Sequence, residues 1–153
     1  MSEHVFGAKS KEHLKHVHPD LVRLHEAVLP IFDHSITDGL RGLDEQKKNV
    51  EKGVSKTLDS KHLQQTDGLS HATDSQPYPL DWSAVQKGLD ALKKADPTMQ
   101  VARFYFFQGV MKGTAAQLGI AIRQGIDWNQ DTNVGDQSFI DLPHNELVPK
   151  EKP

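Results

Sequence analysis

The stretch Asp141-Leu142-Pro143-His144-Asn145-Glu146-Leu147 sets an acid three residues before a histidine and runs straight into an alternating segment of β character over residues 144–148. Pro143 keeps Leu142 out of the helical region, so the segment enters that strand in a fixed non-helical form. Within a strand His144 and Glu146 share a face, and a turn closes the distance between Asp141 and His144. Residues 120–123 show the same alternation upstream, beyond a polar loop, and residues 35–40 form a third short candidate strand. Few strands among several helical segments predict an α+β fold, with helices packed on a small antiparallel sheet.

The helices are read from periodicity and punctuation. Residues 10–29 predict helix in two pieces, because Pro19 fits a first turn but disrupts a helix interior. Leu21, Leu24 and Val28 then fall on one stripe. Residues 43–52 carry helix formers and stop at Gly53. Asp81 is a candidate N-cap for a helix over 82–94, ended by Ala95-Asp96-Pro97. From 99 to 118, Val101, Phe104, Tyr105, Val110, Met111 and Leu118 crowd around what is expected to be the central buried helix, and the run Phe104-Tyr105-Phe106-Phe107 is expected in the core. Residues 54–79 are polar and show no sustained period, which predicts a long irregular loop of the kind that carries function. His13, His16, His18 and His25 are expected on a solvated, titrating helix face.

Composition narrows the chemistry. A length of 153 residues with 36% hydrophobic and 25% charged content suits one domain over 1–153, with 149–153 a frayed tail and no room for an appended wall-binding module. Eighteen Lys and Arg against 21 Asp and Glu give a net charge of −3, too weak a field for general nucleic-acid binding. No stretch is long and apolar enough to insert in a membrane, and the opening Met1-Ser2-Glu3-His4 lacks the layout of a signal peptide, so synthesis in a cytoplasm is expected. The absence of cysteine excludes disulfides, iron–sulfur centres, thiolate zinc fingers and cysteine nucleophiles, which leaves histidine and carboxylate for any metal.

Nine histidines make such a metal worth pursuing. Two patches set histidine near carboxylate: Ser60-Lys61-His62 followed by Ser70-His71-Ala72-Thr73-Asp74, and the Asp141–Leu147 stretch. A catalytic zinc site uses three nitrogen or oxygen ligands and keeps one open position, and His62, Asp74 and His144 are candidates for the three. Asp141 is the best candidate for the proton-transferring base. Glu146 is the runner-up, or a partner that orients an imidazole. A further pattern, Asp127, Asn129, Asp131, Asn133, Gly135 and Asp136, alternates like a calcium loop, but Thr132 stands where the sharp-turn glycine belongs and Ser138 where the bidentate glutamate belongs, so a solvated loop is the better reading.

Several motifs in order carry a resemblance. Phe6-Gly7-Ala8-Lys9-Ser10 with Val17-His18-Pro19-Asp20-Leu21, then Thr37-Asp38-Gly39-Leu40-Arg41 with Gln46-Lys47 and Gly53-Val54-Ser55-Lys56-Thr57, then Ser60-Lys61-His62, Ser70–Asp74, Asp127-Trp128 and Asp141–Leu147 cover nearly the whole chain. Together they resemble the zinc peptidases of the D-alanyl-D-alanine carboxypeptidase group, and among them the phage endolysins that are L-alanyl-D-glutamate endopeptidases. The resemblance implies the hedgehog/DD-peptidase-like zinc peptidase fold, zinc ligands His62, Asp74 and His144, general base Asp141, and Arg41 as the group that stabilises an oxyanion or holds a substrate carboxylate. Ser60 would bind substrate or fix its loop, and His71 would play a structural or supporting part. The implied substrate is the stem peptide of peptidoglycan, cut by a monomer made in the host cytoplasm that reaches the wall after another protein opens the membrane. Removal of terminal D-alanine and a non-catalytic, zinc-stabilised wall-binding module are the alternatives. The chain departs from the short family members by an inserted Gln64-Gln65-Thr66-Asp67-Gly68, which leaves Asp67 as a competitor of Asp74, and by Ser75 in place of an apolar residue.

Overall fold

Two helices at the start of the chain are separated where Pro19 requires it. In the computed structural model, which describes residues 3–83, 85–87 and 99–149, α1 spans Ala8–Leu14 and α2 spans Pro19–Val28 with the proline in its first turn. Strand β1 (His34–Asp38) and helix α3 (Leu43–Glu51) follow, then β2 (Ala72–Pro77), α4 (Met99–Gln117), β3 (Ile122–Gln124) and β4 (His144–Leu147). The four strands form one antiparallel sheet in the order β1-β2-β4-β3. The α+β architecture is as the sequence predicts. Asp81 accepts the Ser83 N–H at 2.9 Å, and residues 82, 83 and 85–87 are helical; the rest of the helix expected over 82–94 lies outside the described residues, as do 150–153 of the expected tail. Among the described residues no helix is long and apolar enough to cross a membrane.

One expectation fails in an instructive way. Residues 54–79 are not irregular throughout, because β2 lies within them and occupies an inner position of the sheet. Its sequence, Ala-Thr-Asp-Ser-Gln-Pro, has no apolar alternation, since both of its faces meet polar groups. Thr73 faces α2, where its Oγ1 lies 2.8 Å from His25 Nε2, and Asp74 faces the opposite way.

Helices α2 and α4 pack together on one side of the sheet. Leu21, Leu24 and Val28 of α2 meet Phe104, Phe107, Met111 and Ala115 of α4, with Ile122, Ile126 and Leu142 below them. The buried residues of α4 recur at three- and four-residue steps, as a helix stripe does. Phe106 leaves that stripe and is 67% exposed, so the aromatic run is core only in part.

His25 also departs from expectation: it is fully buried, not on a solvated face. His34 Nδ1 donates to the Phe32 carbonyl at 2.8 Å, which leaves His34 Nε2 to accept from His25 Nδ1 at 3.0 Å and His25 Nε2 to accept from Thr73. This chain of bonds needs both rings neutral, and burial holds both below the usual histidine range. The unfolded chain takes up a proton near pH 6.5 that the folded His25 refuses, so its contribution to stability is complete above that pH and declines below it. The loss grows as the pH falls from 7 to 5. Urea unfolding should show a smaller loss over that interval in His25→Leu than in the native sequence, although the variant is less stable at pH 7.

Candidate active site

The face of the sheet turned away from the helices carries the candidate site residues. Asp74 of β2 stands directly opposite His144 of β4, and Glu146 opposite both Ala72 of β2 and Arg123 of β3. Period-2 alternation therefore places Asp74, His144, Glu146 and Arg123 on one surface, while Thr73, Asn145 and Gln124 turn to the helices. The β1–β2 register slips between Ile36 and Asp38, and this irregularity delivers Asp38, Gly39 and Arg41 to the end of β2 at Asp74. His62 comes from the loop after α3, tied to the same corner by the Arg41 N–H bonding its carbonyl at 2.9 Å.

The imidazoles are held by their outer nitrogens. His62 Nδ1 donates to the Gly39 carbonyl at 2.7 Å, and His144 Nε2 donates to Glu146 Oε2 at 3.0 Å. Each ring then turns its other nitrogen on one carboxylate oxygen: His62 Nε2 lies 3.1 Å and His144 Nδ1 3.3 Å from Asp74 Oδ1. With both outer nitrogens committed as donors, three electron-pair donors converge. All three residues are mostly buried and their ligand atoms lie within 4.8 Å of one another. Such a cluster requires a positive charge among its members. Burial lowers the pKa of His144, but the bonds to Asp74 and Glu146 outweigh it and raise it to about 9. Burial likewise raises Asp74, yet His62 and His144 hold it far below the usual carboxylate range. A divalent cation satisfies the same demand, and two imidazoles with one carboxylate are the donors that zinc takes. The carboxylate on His144 and the carbonyl on His62 are the outer partners such ligands need.

Asp141 stands beside this cluster in a fixed turn. Its N–H bonds the Gly125 carbonyl at 2.9 Å, its carbonyl accepts the His144 N–H at 3.2 Å, and Gln108 of α4 donates to the carbonyl of the buried Leu142. Among the described residues nothing hydrogen-bonds the Asp141 carboxyl. Burial and then the charge of Asp74 push it up to about 6, against the pull of His144, His62 and Arg41.

Arg41 is 10% exposed; its fork holds Asp38, with Nε at 3.0 Å, and Gln46 Oε1 at 2.7 Å, and its Nη2 lies 3.6 Å from Asp74 Oδ2. Ser60 accepts the His62 N–H at 3.2 Å, which shapes the loop that carries His62. Glu146 is occupied by His144 and Arg123, the position of an orienting group rather than of a base. His71 is not brought to this cluster; its Nε2 bonds Asp67 Oδ2 at 2.7 Å. Asp67 therefore faces His71, and Asp74 faces His62. In the calcium-like loop, the Asp127 carboxylate holds Lys112 Nζ at 2.8 Å and the backbone N–H groups of Asp131 and Thr132.

The cluster opens into a cleft of about 620 Å³. Trp128 lies against His144 and stacks on Phe139, and Lys56 sits over the Phe139 ring. Sequence reasoning did not single out Phe139, Lys56 or Arg123 as cleft residues, because they come from loops and a strand far apart in the chain.

Residues 1–148 match the family described as phage L-alanyl-D-glutamate peptidase. The L-alanyl-D-glutamate peptidase of Escherichia phage T5 is 28% identical over 154 residues, covering 94% of this chain and 97% of that one. The crystal structure of the Serratia marcescens L-Ala D-Glu endopeptidase ChiX superposes with a TM-score of 0.64 at 26% identity, covering 95% of this chain and 92% of the other. A match from the first helix to the last strand takes in every element that builds the cleft, and the chain belongs to the phage L-alanyl-D-glutamate peptidase family.

Proposed function

We propose that this chain is a metal-dependent peptidase, an endolysin that hydrolyses the L-Ala–D-Glu bond of the peptidoglycan stem peptide, and that residues 1–153 form one peptidase domain. The observation that carries this reading is the convergence of His62 Nε2, Asp74 Oδ1 and His144 Nδ1, beside a raised, unbonded Asp141 carboxyl. His62, Asp74 and His144 would hold the ion, and zinc is the metal their donor set favours. A zinc ion there supplies Lewis-acid polarisation of a carbonyl and makes water a better nucleophile at neutral pH.

The remaining work belongs to the protein's own groups. Asp141 takes the proton of the attacking water and returns it to the leaving amine, a role suited to a carboxyl whose pKa has been moved toward neutrality. Arg41, fixed by Asp38 and Gln46, offers its guanidinium to the developing oxyanion or to a substrate carboxylate. Glu146 keeps His144 in one tautomer and orientation. Lys56 and Lys61 line the cleft and offer cations to carboxylates of the stem peptide. The protein would act as a monomer, made in the host cytoplasm and admitted to the wall once the membrane is opened.

The test is digestion of Gram-negative sacculi with and without a chelator, followed by mass spectrometry of the new amino termini. New D-glutamate termini that vanish with chelator are expected. Release of terminal D-alanine would instead assign a carboxypeptidase, and no new termini with zinc still bound would assign a wall-binding module.

A further inference from the structure

The loop between His62 and Asp74 and the start of α2 together carry a second group of metal-type donors, none of which lines the cleft. His18 is the N-cap of α2, Asp67 lies in the turn 65–68, and His71 immediately precedes β2. The three supports are fixed independently of their side chains. Ser70 N–H bonds the His16 carbonyl at 2.8 Å and His18 N–H bonds the Ser70 carbonyl at 2.9 Å, so the two histidine-bearing segments are strapped side by side. The His71 N–H bonds the Lys61 carbonyl at 2.9 Å. The turn is closed by Gly68 N–H on the Gln65 carbonyl and Gln65 N–H on the Leu69 carbonyl, both at 2.9 Å, and Gly68 has the positive φ of 84° that glycine adopts without strain.

On this frame the side chains converge. Asp67 Oδ1 accepts the Leu69 N–H at 3.0 Å, which leaves Oδ2 to face the rings. His71 Nε2 lies 2.7 Å and His18 Nε2 4.0 Å from that oxygen, and the two rings meet edge to face at 4.9 Å. One ligand atom from each residue lies within 4.8 Å of the others.

We propose that His18, Asp67 and His71 form a second divalent transition-metal site, of the zinc type, that clips the inserted loop to the start of α2. Two imidazole nitrogens and one carboxylate oxygen, with a fourth position open to water, fit zinc and disfavour calcium or magnesium, which take oxygen ligands. The protons can be placed. Ligation through Nε2 puts the ring proton of each neutral histidine on Nδ1. In His18, Nδ1 accepts the Asp20 N–H at 3.1 Å as the cap of α2; ligation through Nε2 protonates Nδ1 and gives up that bond, and the ring must shift to bring Nδ1–H from 4.0 Å to within reach of Asp20 Oδ2, a cost that weakens the site. The three side chains are 27–38% exposed, against 2% for His62 and 7% for His144, so this site binds more weakly than the buried one. Because the His71 N–H holds the Lys61 carbonyl, the clip steadies the segment that carries His62.

The experiment is a zinc titration of the metal-depleted full chain at pH 7.5, by calorimetry and by metal analysis after desalting. Two ions per chain are expected, one tight and one weaker; His71→Asn and Asp67→Asn should each bind one, and His144→Asn should keep only the weaker. In the native sequence, imidazole ¹⁵N resonances of His18 and His71 should move with the second equivalent, a readout that needs no variant to fold. One ion in the native sequence, lost in His144→Asn, overturns the second site and leaves the proposed peptidase intact. Retention of two ions in both loop variants, or a second equivalent that leaves the His18 and His71 resonances unmoved, also overturns it.

Discussion

Replacing Asp141 by Asn is expected to lower kcat/KM about 1,000-fold while zinc stays bound, and His144→Ala is expected to lose both activity and metal. The two residues are three apart and share a backbone bond, yet their side chains serve different ends. His144 Nδ1 is one of three donors converging on a point, and without it Asp74 and His62 alone make a poor site. The Asp141 carboxyl has no hydrogen-bond partner among the described residues, so an amide of the same shape orphans nothing there. It also removes a charge that burial and Asp74 disfavour, so the Asn variant should be at least as stable as the native protein. What the amide cannot do is accept a proton from water. Metal content and stem-peptide turnover measured on the same preparations separate the roles; equal zinc loss in both variants would show that Asp141 helps to hold the ion and would remove it as the base.

The turn that sets Asp141 beside His144 was legible in the sequence because the acid, the proline and the histidine lie within four residues, where local geometry decides. Pro19 splitting α1 from α2 and Gly53 following α3 were legible for the same reason. What escaped is whatever depends on residues distant in sequence. β2 is an inner strand with a polar sequence, and its pairing to β1 and β4 is invisible to hydrophobic periodicity. His25 reads as one of four helix-surface histidines until β1 and β2 bring His34 and Thr73 to it. The assignment of Asp67 to His71 and Asp74 to His62 likewise waited for the turn at 65–68 to be placed. Spacing limited the candidates but did not choose between the two carboxylates.

Gly125→Ala should lower turnover about 100-fold, although this residue carries no reactive group. It lies flat against the Asp141 turn, bonding the His144 carbonyl through its N–H and the Asp141 N–H through its carbonyl, both at 2.9 Å. A Cβ added there would stand 2.2 Å from the Asp141 carbonyl oxygen and 2.8 Å from its Cβ. The obstacle is backbone, so no side-chain rotation relieves it, and the Asp141 turn must retreat by about 1 Å. The turn has little freedom to do so, since Leu142 is buried in the core and Gln108 holds its carbonyl from α4. Displacement of a proton-transfer group by that distance costs about 100-fold in rate, and the overpacking costs about 1–3 kcal/mol of stability. Gly113→Ala in α4 is the control: nothing lies within 4 Å of its added Cβ, and alanine in a helix interior gains about 0.5–1 kcal/mol over glycine. Thermal unfolding and turnover of the two variants therefore should move in opposite directions for stability, with turnover lost only at Gly125. A Gly125→Ala protein with native turnover would mean that the position of Asp141 is not critical, and the base would have to be sought among the other carboxylates of the cleft.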